Sequence, residues 1–212
     1  DKDEFFQTGK DEINHVMSFA SSLGYPVKGQ RALDFGCGVG RLTQALAPFF
    51  DEVYGVDIAP AMLERAKEFC PEELKCIFSI NQQEDLSQFE TGSFDFIYSS
   101  ITLQHIRPAN SLKYVQEFMR LLKPGGLMVF QLPEKMAVNL KGIILRVFPR
   151  VLAALFFRLK NKCPVPMEMH CVSRKDVESL VVGKLHGVII GSRSAWGGNG
   201  MWYSTYYSVT KP

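Results

Sequence analysis

The clearest candidate for a ligand site in this sequence is a glycine-rich turn that follows an apolar strand. It reads D-F-G-C-G-V-G-R over residues 34–41. The glycines at positions 36, 38 and 40 allow the backbone to approach a ligand where a Cβ would collide. The free N–H groups of the helix expected to begin at Arg41 face the same place. The pattern predicts a backbone cradle for a ligand, with the carboxylate of Asp34 beside it.

A second carboxylate ends the next predicted strand. Asp57 comes 23 positions after Asp34, directly behind the apolar Val56. In doubly wound nucleotide-binding folds, an acid near this place accepts hydrogen bonds from ribose hydroxyls. The pair of acids and the turn therefore indicate a nucleoside-binding site.

Two further side chains have chemistry of their own. His105 follows the fourth predicted strand on the ligand side, so it is a candidate for contact with a second substrate or for a general base. A histidine that caps or packs the loop is an equally good interpretation. Cys37 lies between two glycines and has no visible activating neighbour, so we expect it to be a small residue that fits the turn.

The elements that would position these residues alternate as in a parallel sheet covered by helices. Strands are expected at 31–35, 52–56, 75–80, 94–99 and 126–131, with helices at 41–49, 60–69 and 110–122. A helix near 174–182 and strands near 184–192 and 202–210 complete the pattern, and the last strand alternates like an antiparallel edge strand. The sequence predicts an α/β fold: a doubly wound, mostly parallel, seven-stranded Rossmann-like sheet with an antiparallel C-terminal edge strand and a helical insertion.

Four motifs occur in a fixed order along the chain. They are D-x-G-x-G-x-G at 34–40, Val56-Asp57, the strand Phe94-Asp95-Phe96-Ile97, and Leu121-Leu122-Lys123-Pro124-Gly125-Gly126. Together they resemble the class I S-adenosylmethionine-dependent methyltransferases, over about residues 30–132. The resemblance implies S-adenosyl-L-methionine as cofactor and S-adenosyl-L-homocysteine as product.

The resemblance also implies roles for individual residues in the first half of the site. Asp34 would lie near the amino-acid end of the cofactor, and Asp57 would bind both ribose hydroxyls. The loop would lie under the methionine and ribose portion, and Ile58 and Met62 would flank the adenine. The loop residues expected to bind the cofactor are Gly36, Cys37, Gly38 and Arg41.

In the second half of the site the sequence departs from the family pattern. An acid often contacts the adenine amino group after the third strand, but this chain has Gln82 at that position, followed by Gln83. A glutamine can still accept the amino proton through its amide oxygen. Ser99 and Ser100 follow the fourth strand, where the family places backbone contacts to methionine. Asp95, at the entrance of that strand, is expected to be structural.

Motifs that the chain lacks narrow the methyl acceptor. The segment after the fourth strand reads S-S-I-T, without the Asn/Asp-Pro-Pro-aromatic motif of amino-methylating DNA enzymes or the Pro-Cys pair of cytosine-C5 enzymes. The two glutamates of arginine methyltransferases and a carboxylate cluster for a metal are also missing. We therefore expect a small organic acceptor, no nucleic-acid partner and no metal.

Two other functions compete with methyl transfer. A nicotinamide-dependent reductase would need G-x-G-x-x-G, but Arg41 occupies the place of the last glycine. A catalytically silent protein that binds S-adenosylmethionine remains open, because methyl transfer requires few obligatory side chains.

Size and composition predict one globular domain over residues 1–212. Apolar residues make up 46% of the chain and charged residues 22%, and the net charge is +2. Five cysteines, an odd number without a C-x-x-C pair, favour a reducing cytoplasm over a disulfide framework. The most apolar stretch, 143–157, is too short and too charged to span a bilayer.

Residues 134–170 are predicted to form a helical insertion or lid. Residues 134–162 contain seven Lys or Arg and one acid, Glu134, for a net charge of +6. Three interpretations stay open: a plain surface helix, a lid over an apolar or acidic acceptor, and a helix in peripheral contact with anionic lipid. Beyond it, Trp196, Trp202 and Tyr203 form either an aromatic wall or a packed hairpin.

Overall fold

Seven strands of this chain form one mixed sheet with helices on both faces. The computed structural model describes residues 1–25, 28–137, 168–197 and 200–212. The strands are β1 (Gly29–Phe35), β2 (Phe50–Asp57), β3 (Cys76–Ile80), β4 (Phe94–Ser99), β5 (Leu122–Met136), β6 (Val188–Gly197) and β7 (Trp202–Thr210). The helices are α1 (Lys2–Ser22), α2 (Arg41–Leu46), α3 (Pro60–Phe69), α4 (Pro108–Leu121) and α5 (Arg174–Glu178), with a 3-10 turn at Leu103–His105 and a π-helix at Ser179–Lys184.

The strand order is β3-β2-β1-β4-β5-β7-β6. Neighbours among β1 to β5 pair in parallel, whereas β7 pairs antiparallel with both β5 and β6. The predicted doubly wound, mostly parallel sheet is therefore confirmed. The strand predicted at its edge, β7, is antiparallel but internal, because the chain returns through β6 first and then inserts β7 beside β5. Its C-terminal half is buried on both faces, at Thr205 and from Tyr207 to Thr210.

Helix α1 covers one face of the sheet, and the predicted elements did not include it. Helix α1 places Ile13, Val16, Met17 and Ala20 against the sheet, and all four are buried. Their spacing of three or four residues is that of one helical face. They pack with α2 and with buried residues of β1, β2, β4 and β5, while α4, α5 and the π-helix cover the other face.

Strand β5 is longer than its apolar run indicates. It continues through Pro133 to Met136, and Lys135 and Met136 pair with Tyr203 and Trp202 of β7. A register shift beside Pro133 accommodates a residue that has no N–H to donate. The prediction that the helical insertion begins at residue 134 is therefore wrong, because Glu134 to Met136 belong to the sheet. Its central part, 138–167, lies outside the described residues.

Asp95, the second residue of β4, lies at the amino edge of the sheet and connects β4 to the beginnings of β1 and β5. Its Oδ2 accepts the N–H groups of Gln30 at 3.0 Å and Arg31 at 2.9 Å, and Lys123 Nζ lies 2.9 Å from the same oxygen. Partial burial alone would raise the pKa of Asp95, but the hydrogen bonds from Arg31 and Lys123 outweigh it and the pKa is lowered. The structural role expected for Asp95 is confirmed.

Replacing Asp95 with alanine should lower the free energy of unfolding by about 2 kcal/mol at pH 7, because two backbone donors lose a charged acceptor. A carboxylate with a lowered pKa adds to the free energy of unfolding above its unfolded-state pKa of about 3.9. This stabilisation is lost as the pH falls through the folded-state pKa. Urea denaturation at several pH values should show the stabilities of mutant and wild type converging as the pH falls below the lowered pKa of Asp95. An equal stability difference at all pH values would contradict this assignment.

Candidate functional site

A cleft opens between the carboxyl ends of β1 and β4, where the strand order reverses direction. Ligands of doubly wound sheets bind at such switch points. The cleft has a volume of about 380 Å³, within the range of small-molecule sites. We call it the switch-point cleft, and its lining consists of Phe35, Gly36, Val56, Asp57, Ile58, Asn81, Ile101, Thr102, His105, Ile106 and Tyr114.

The glycine loop contributes Gly36 to the lining of this cleft. Gly36, Gly38 and Gly40 have φ values of 79°, 53° and 81°, which L-residues with a Cβ rarely adopt. The N–H groups of Gly36 and Cys37 donate to Val56 O at 2.7 and 3.0 Å, so the loop is fixed to the end of β2. A Cβ on Gly36 would collide with Thr102, whereas a Cβ on Gly38 would meet nothing within 4 Å. Gly36 is therefore needed for packing, and Gly38 leaves open space beside the loop.

Asp57 is held in a fixed orientation by the backbone around it. Its Oδ2 accepts the N–H of Gly38 at 2.8 Å, and its Oδ1 accepts the N–H of Ala59 at 2.9 Å. Each carboxylate oxygen can accept more than one hydrogen bond. The side chain is half-buried and lines the cleft, so it can also accept hydrogen bonds from hydroxyl groups of a ligand.

Asp34 and Arg41 lie behind the loop and do not line the switch-point cleft. Asp34 is 1% exposed and accepts a hydrogen bond from Thr43 Oγ1 at 2.6 Å. Burial raises the pKa of Asp34 to about 7, an effect that the bond from Thr43 only partly opposes. Arg41 forms an ion pair of 2.8 Å with Glu12 of α1. These contacts give both side chains a role in supporting the loop, and direct contact with a ligand stays a prediction for them.

Three other predicted residues have buried side chains. Burial raises the pKa of the Cys37 thiol far above its usual value, so the thiolate that a nucleophile requires is disfavoured. Ser99 Oγ donates to Phe35 O at 3.1 Å and joins β4 to β1, and Ser100 Oγ pairs with Tyr206 Oη at 2.9 Å. Any contact of Ser99 or Ser100 with a ligand is left to their backbone.

Apolar side chains are exposed at the outer end of the cleft. Ile58 lines the cleft and is 69% exposed, whereas Met62 is 44% exposed and lies outside the lining. An exposed apolar side chain at the cleft suits a flat apolar ligand. Gln82 and Gln83 are exposed and lie outside the lining, whereas Asn81, which we did not predict, lines the cleft and is 7% exposed. Its position directly after β3, at the carboxyl edge of the sheet, is the signal that would have identified it.

His105 lines the cleft, and both of its ring nitrogens are in hydrogen bonds. Nδ1 lies 2.9 Å from Glu168 O, and Nε2 lies 3.0 Å from Gln104 Nε2. To take a proton from a substrate, His105 would have to give up the bond at Nε2. His170 Nε2 lies 3.5 Å from the Glu168 carboxylate.

A second cavity of about 340 Å³ lies beside the switch-point cleft, between strands β5, β6 and β7 and the segment that follows β4. We call it the tryptophan cavity, and it is lined by Ile101, Gln104, Gln131, Met169, Ala195, Trp196, Gly197, Trp202, Ser204 and Tyr206. Ile101 belongs to the lining of both cavities. Both alternatives for the aromatic residues are seen together. Trp196 and Trp202 line this cavity. Trp196 also pairs with Tyr203 across the antiparallel strands β6 and β7, and the two rings are in contact.

The sequence of the central region matches a known family model. Residues 33–130 match the model described as a methyltransferase domain. A 2-methyl-6-phytyl-1,4-hydroquinone methyltransferase of Synechocystis sp. is 32% identical over 127 residues, which cover 59% of this chain and 39% of that relative. A ubiquinone biosynthesis O-methyltransferase of Xanthomonas oryzae is 31% identical over 145 residues, covering 65% of this chain and 60% of that relative. The chain thus spans 39% to 60% of the length of these relatives.

Solved structures extend the similarity to the whole fold. The magnesium protoporphyrin IX methyltransferase of Synechocystis PCC 6803, solved with bound S-adenosylhomocysteine, superposes with a TM-score of 0.66 at 18% identity. The match covers 99% of this chain and 86% of that structure. None of the helices in the described ranges has both the length and the hydropathy to cross a membrane.

Proposed function

We propose that this chain, which has the class I S-adenosylmethionine-dependent methyltransferase fold, binds S-adenosylmethionine in the switch-point cleft and transfers its methyl group to a small-molecule acceptor. The observation that carries the proposal is the arrangement of Asp57 and Gly38. The N–H of Gly38 fixes the carboxylate of Asp57, which lines the cleft, and a side chain added at Gly38 would meet no protein atom within 4 Å.

The residues of the cleft fit the chemistry of the proposed cofactor. Asp57 offers charged acceptors for ribose hydroxyls, and Ile58 with its exposed side chain offers an apolar surface for adenine. Asn81 lines the cleft, but its side-chain amide donates to Asp85 O at 2.9 Å and accepts the N–H of Gln83 at 3.3 Å, so recognition of the adenine amino group stays a prediction for Gln82. The main chain of Gly36 to Gly38 would support the methionine portion.

We propose that the tryptophan cavity receives the acceptor and that the acceptor is a neutral aromatic ring carrying hydroxyl groups. Trp196, Trp202 and Tyr206 supply aromatic surface, and Gln104 and Gln131 supply uncharged polar groups. No acidic or basic side chain is among the described lining residues. The names of the hydroquinone and ubiquinone-pathway relatives agree with this choice of ring.

Bound S-adenosylmethionine supplies an electrophilic methyl group on a sulfonium centre. The protein's own contribution is then to align the acceptor and to exclude water. A general base helps only where the acceptor must lose a proton near the transition state, and His105 remains our prediction for that role. The single-domain organisation and a cytoplasmic location belong to the same proposal.

Tryptophan fluorescence gives a direct test, because the chain has two tryptophans and both line the tryptophan cavity. We expect saturable quenching by hydroquinone or catechol and, with radiolabelled S-adenosylmethionine, transfer of label to at least one ring of this kind. The Trp196→Phe variant is the matched control, since it keeps an aromatic side chain in the cavity wall while removing one fluorophore.

Two outcomes would contradict parts of the proposal. Cofactor binding without transfer to any hydroxylated aromatic ring would favour the silent binder. Transfer to such a ring without saturable quenching would show that the acceptor binds elsewhere.

A further inference from the structure

Four residues form one chain of hydrogen bonds that runs from His105 to Ile101, which lines both cavities. His105 Nε2 lies 3.0 Å from Gln104 Nε2, Gln104 Oε1 lies 3.2 Å from Gln131 Nε2, and Gln131 Oε1 lies 3.0 Å from the N–H of Ile101. Gln104 and Gln131 are 8% and 4% exposed. We call this chain the amide relay.

The two ends of the amide relay fix the direction of every hydrogen bond in it. Glu168 O can only accept, so His105 Nδ1 carries a proton and donates to it. In neutral His105, Nε2 then accepts from the amide group of Gln104, whose oxygen accepts from Gln131. At the other end, the Ile101 N–H can only donate, and Gln131 Oε1 accepts it. Each member is therefore satisfied in one orientation only, and such buried networks are rigid.

Ile101 is the residue that needs this support. Its φ is 60°, a conformation that is unfavourable for a β-branched side chain. Such strain persists only where the surroundings enforce it, and it occurs at functional sites. Ile101 is 56% exposed and lines both the switch-point cleft and the tryptophan cavity. The same turn is fixed on its other side, where Thr102 Oγ1 donates to Ser100 O at 3.1 Å.

We infer that Gln131 and Gln104 are positioning residues that hold Ile101 in its strained conformation as the partition between the two cavities. This assignment rests on the proposed function, since the partition matters where a methyl group passes from one cavity to the other. His105 anchors the relay, and His170 N donates to Gln104 O at 2.8 Å, which fixes the segment that carries Glu168.

Hydrogen exchange of the Ile101 amide tests the relay without cofactor or acceptor. In protein labelled with 15N-isoleucine, Gln131→Leu should accelerate this exchange on the order of tenfold or more, because the buried acceptor is lost. Gln104→Leu should accelerate it as well, although Gln104 does not touch Ile101. Gln88→Leu, an exposed glutamine outside both cavities, is the matched control. Unchanged Ile101 exchange in Gln104→Leu would overturn the relay.

The second measurement shows whether the relay positions Ile101 for transfer. We expect Gln131→Leu to reduce kcat for a hydroxylated aromatic ring on the order of tenfold to 100-fold, with a small change in S-adenosylhomocysteine affinity. In an Ile101→Gly background the same substitution should have little further effect, because glycine needs no support at positive φ. His186, with a φ of 55°, is the other non-glycine residue at positive φ in the described part of the chain. His186→Gly is therefore the control: it relieves backbone strain away from the site and should leave kcat unchanged. Additive effects of the Gln131 and Ile101 substitutions would overturn the positioning role.

If no ring is methylated by the wild type, the proposed function fails, while the exchange result still decides whether the relay exists.

Discussion

A Gly38→Val variant should lose measurable affinity for S-adenosylhomocysteine and stay folded. A side chain at position 38 meets no protein atom within 4 Å, so it would project into the open space beside the loop. A branched side chain there would occupy volume that we assign to the cofactor. The φ of 53° adds backbone strain of about 1–2 kcal/mol. Calorimetric titration and a thermal melt of the same sample measure the two effects.

Gly125→Val is the matched control for this variant. Gly125 has a φ of 74°, and a Cβ added there would likewise meet no atom within 4 Å, but it lies at the opposite, amino edge of the sheet. It should show a comparable loss of stability with unchanged affinity. Normal binding by Gly38→Val would mean that the glycine loop is not the cofactor cradle.

The second large effect on cofactor affinity is expected from substitution of Asp57. Asp57→Ala should weaken binding of S-adenosylmethionine by about 1.5–3 kcal/mol, the range for lost hydrogen bonds to a charged group. Because the N–H groups of Gly38 and Ala59 also lose their acceptor, the variant should be less stable than wild type. Asp57→Asn keeps an oxygen for one of these donors and should be intermediate in both properties.

Asp95→Ala is the control that separates the loss of affinity from the loss of stability. Asp95 also accepts two backbone N–H groups, but at the opposite edge of the sheet. We expect it to lose stability and keep its affinity for S-adenosylmethionine. Calorimetry in which Asp57→Ala and Asp95→Ala bind equally well would remove Asp57 from the site.

The parts of the site that were predictable are those that local sequence encodes. A glycine turn after an apolar strand has few structural uses, and its distance to Asp57 is set by one helix and one strand. The parallel order of β1 to β5 follows from the same alternation. For these reasons the places of the loop and of Asp57 after β1 and at the end of β2 could be predicted from the sequence, whereas the role of Ile58 was implied by the family resemblance and the ligand contacts of all three stay predictions.

The remaining features depend on contacts between distant segments. Gln131 lies 30 positions from Ile101, and only the pairing of β4 with β5 brings them together. The left-handed conformation of Ile101 has no signal in a Ser-Ser-Ile-Thr run. The sequence likewise does not show that Thr43 would bond Asp34 from behind the loop. The internal position of β7 depends on the route of the chain through β6.

Calorimetric titration of the wild-type protein with S-adenosylmethionine, S-adenosylhomocysteine and NADH tests the central claim most directly. We predict saturable binding of S-adenosylmethionine and S-adenosylhomocysteine at one site per chain and no binding of NADH. Binding of NADH in preference to both, or no binding of either S-adenosyl compound by folded protein, would contradict it.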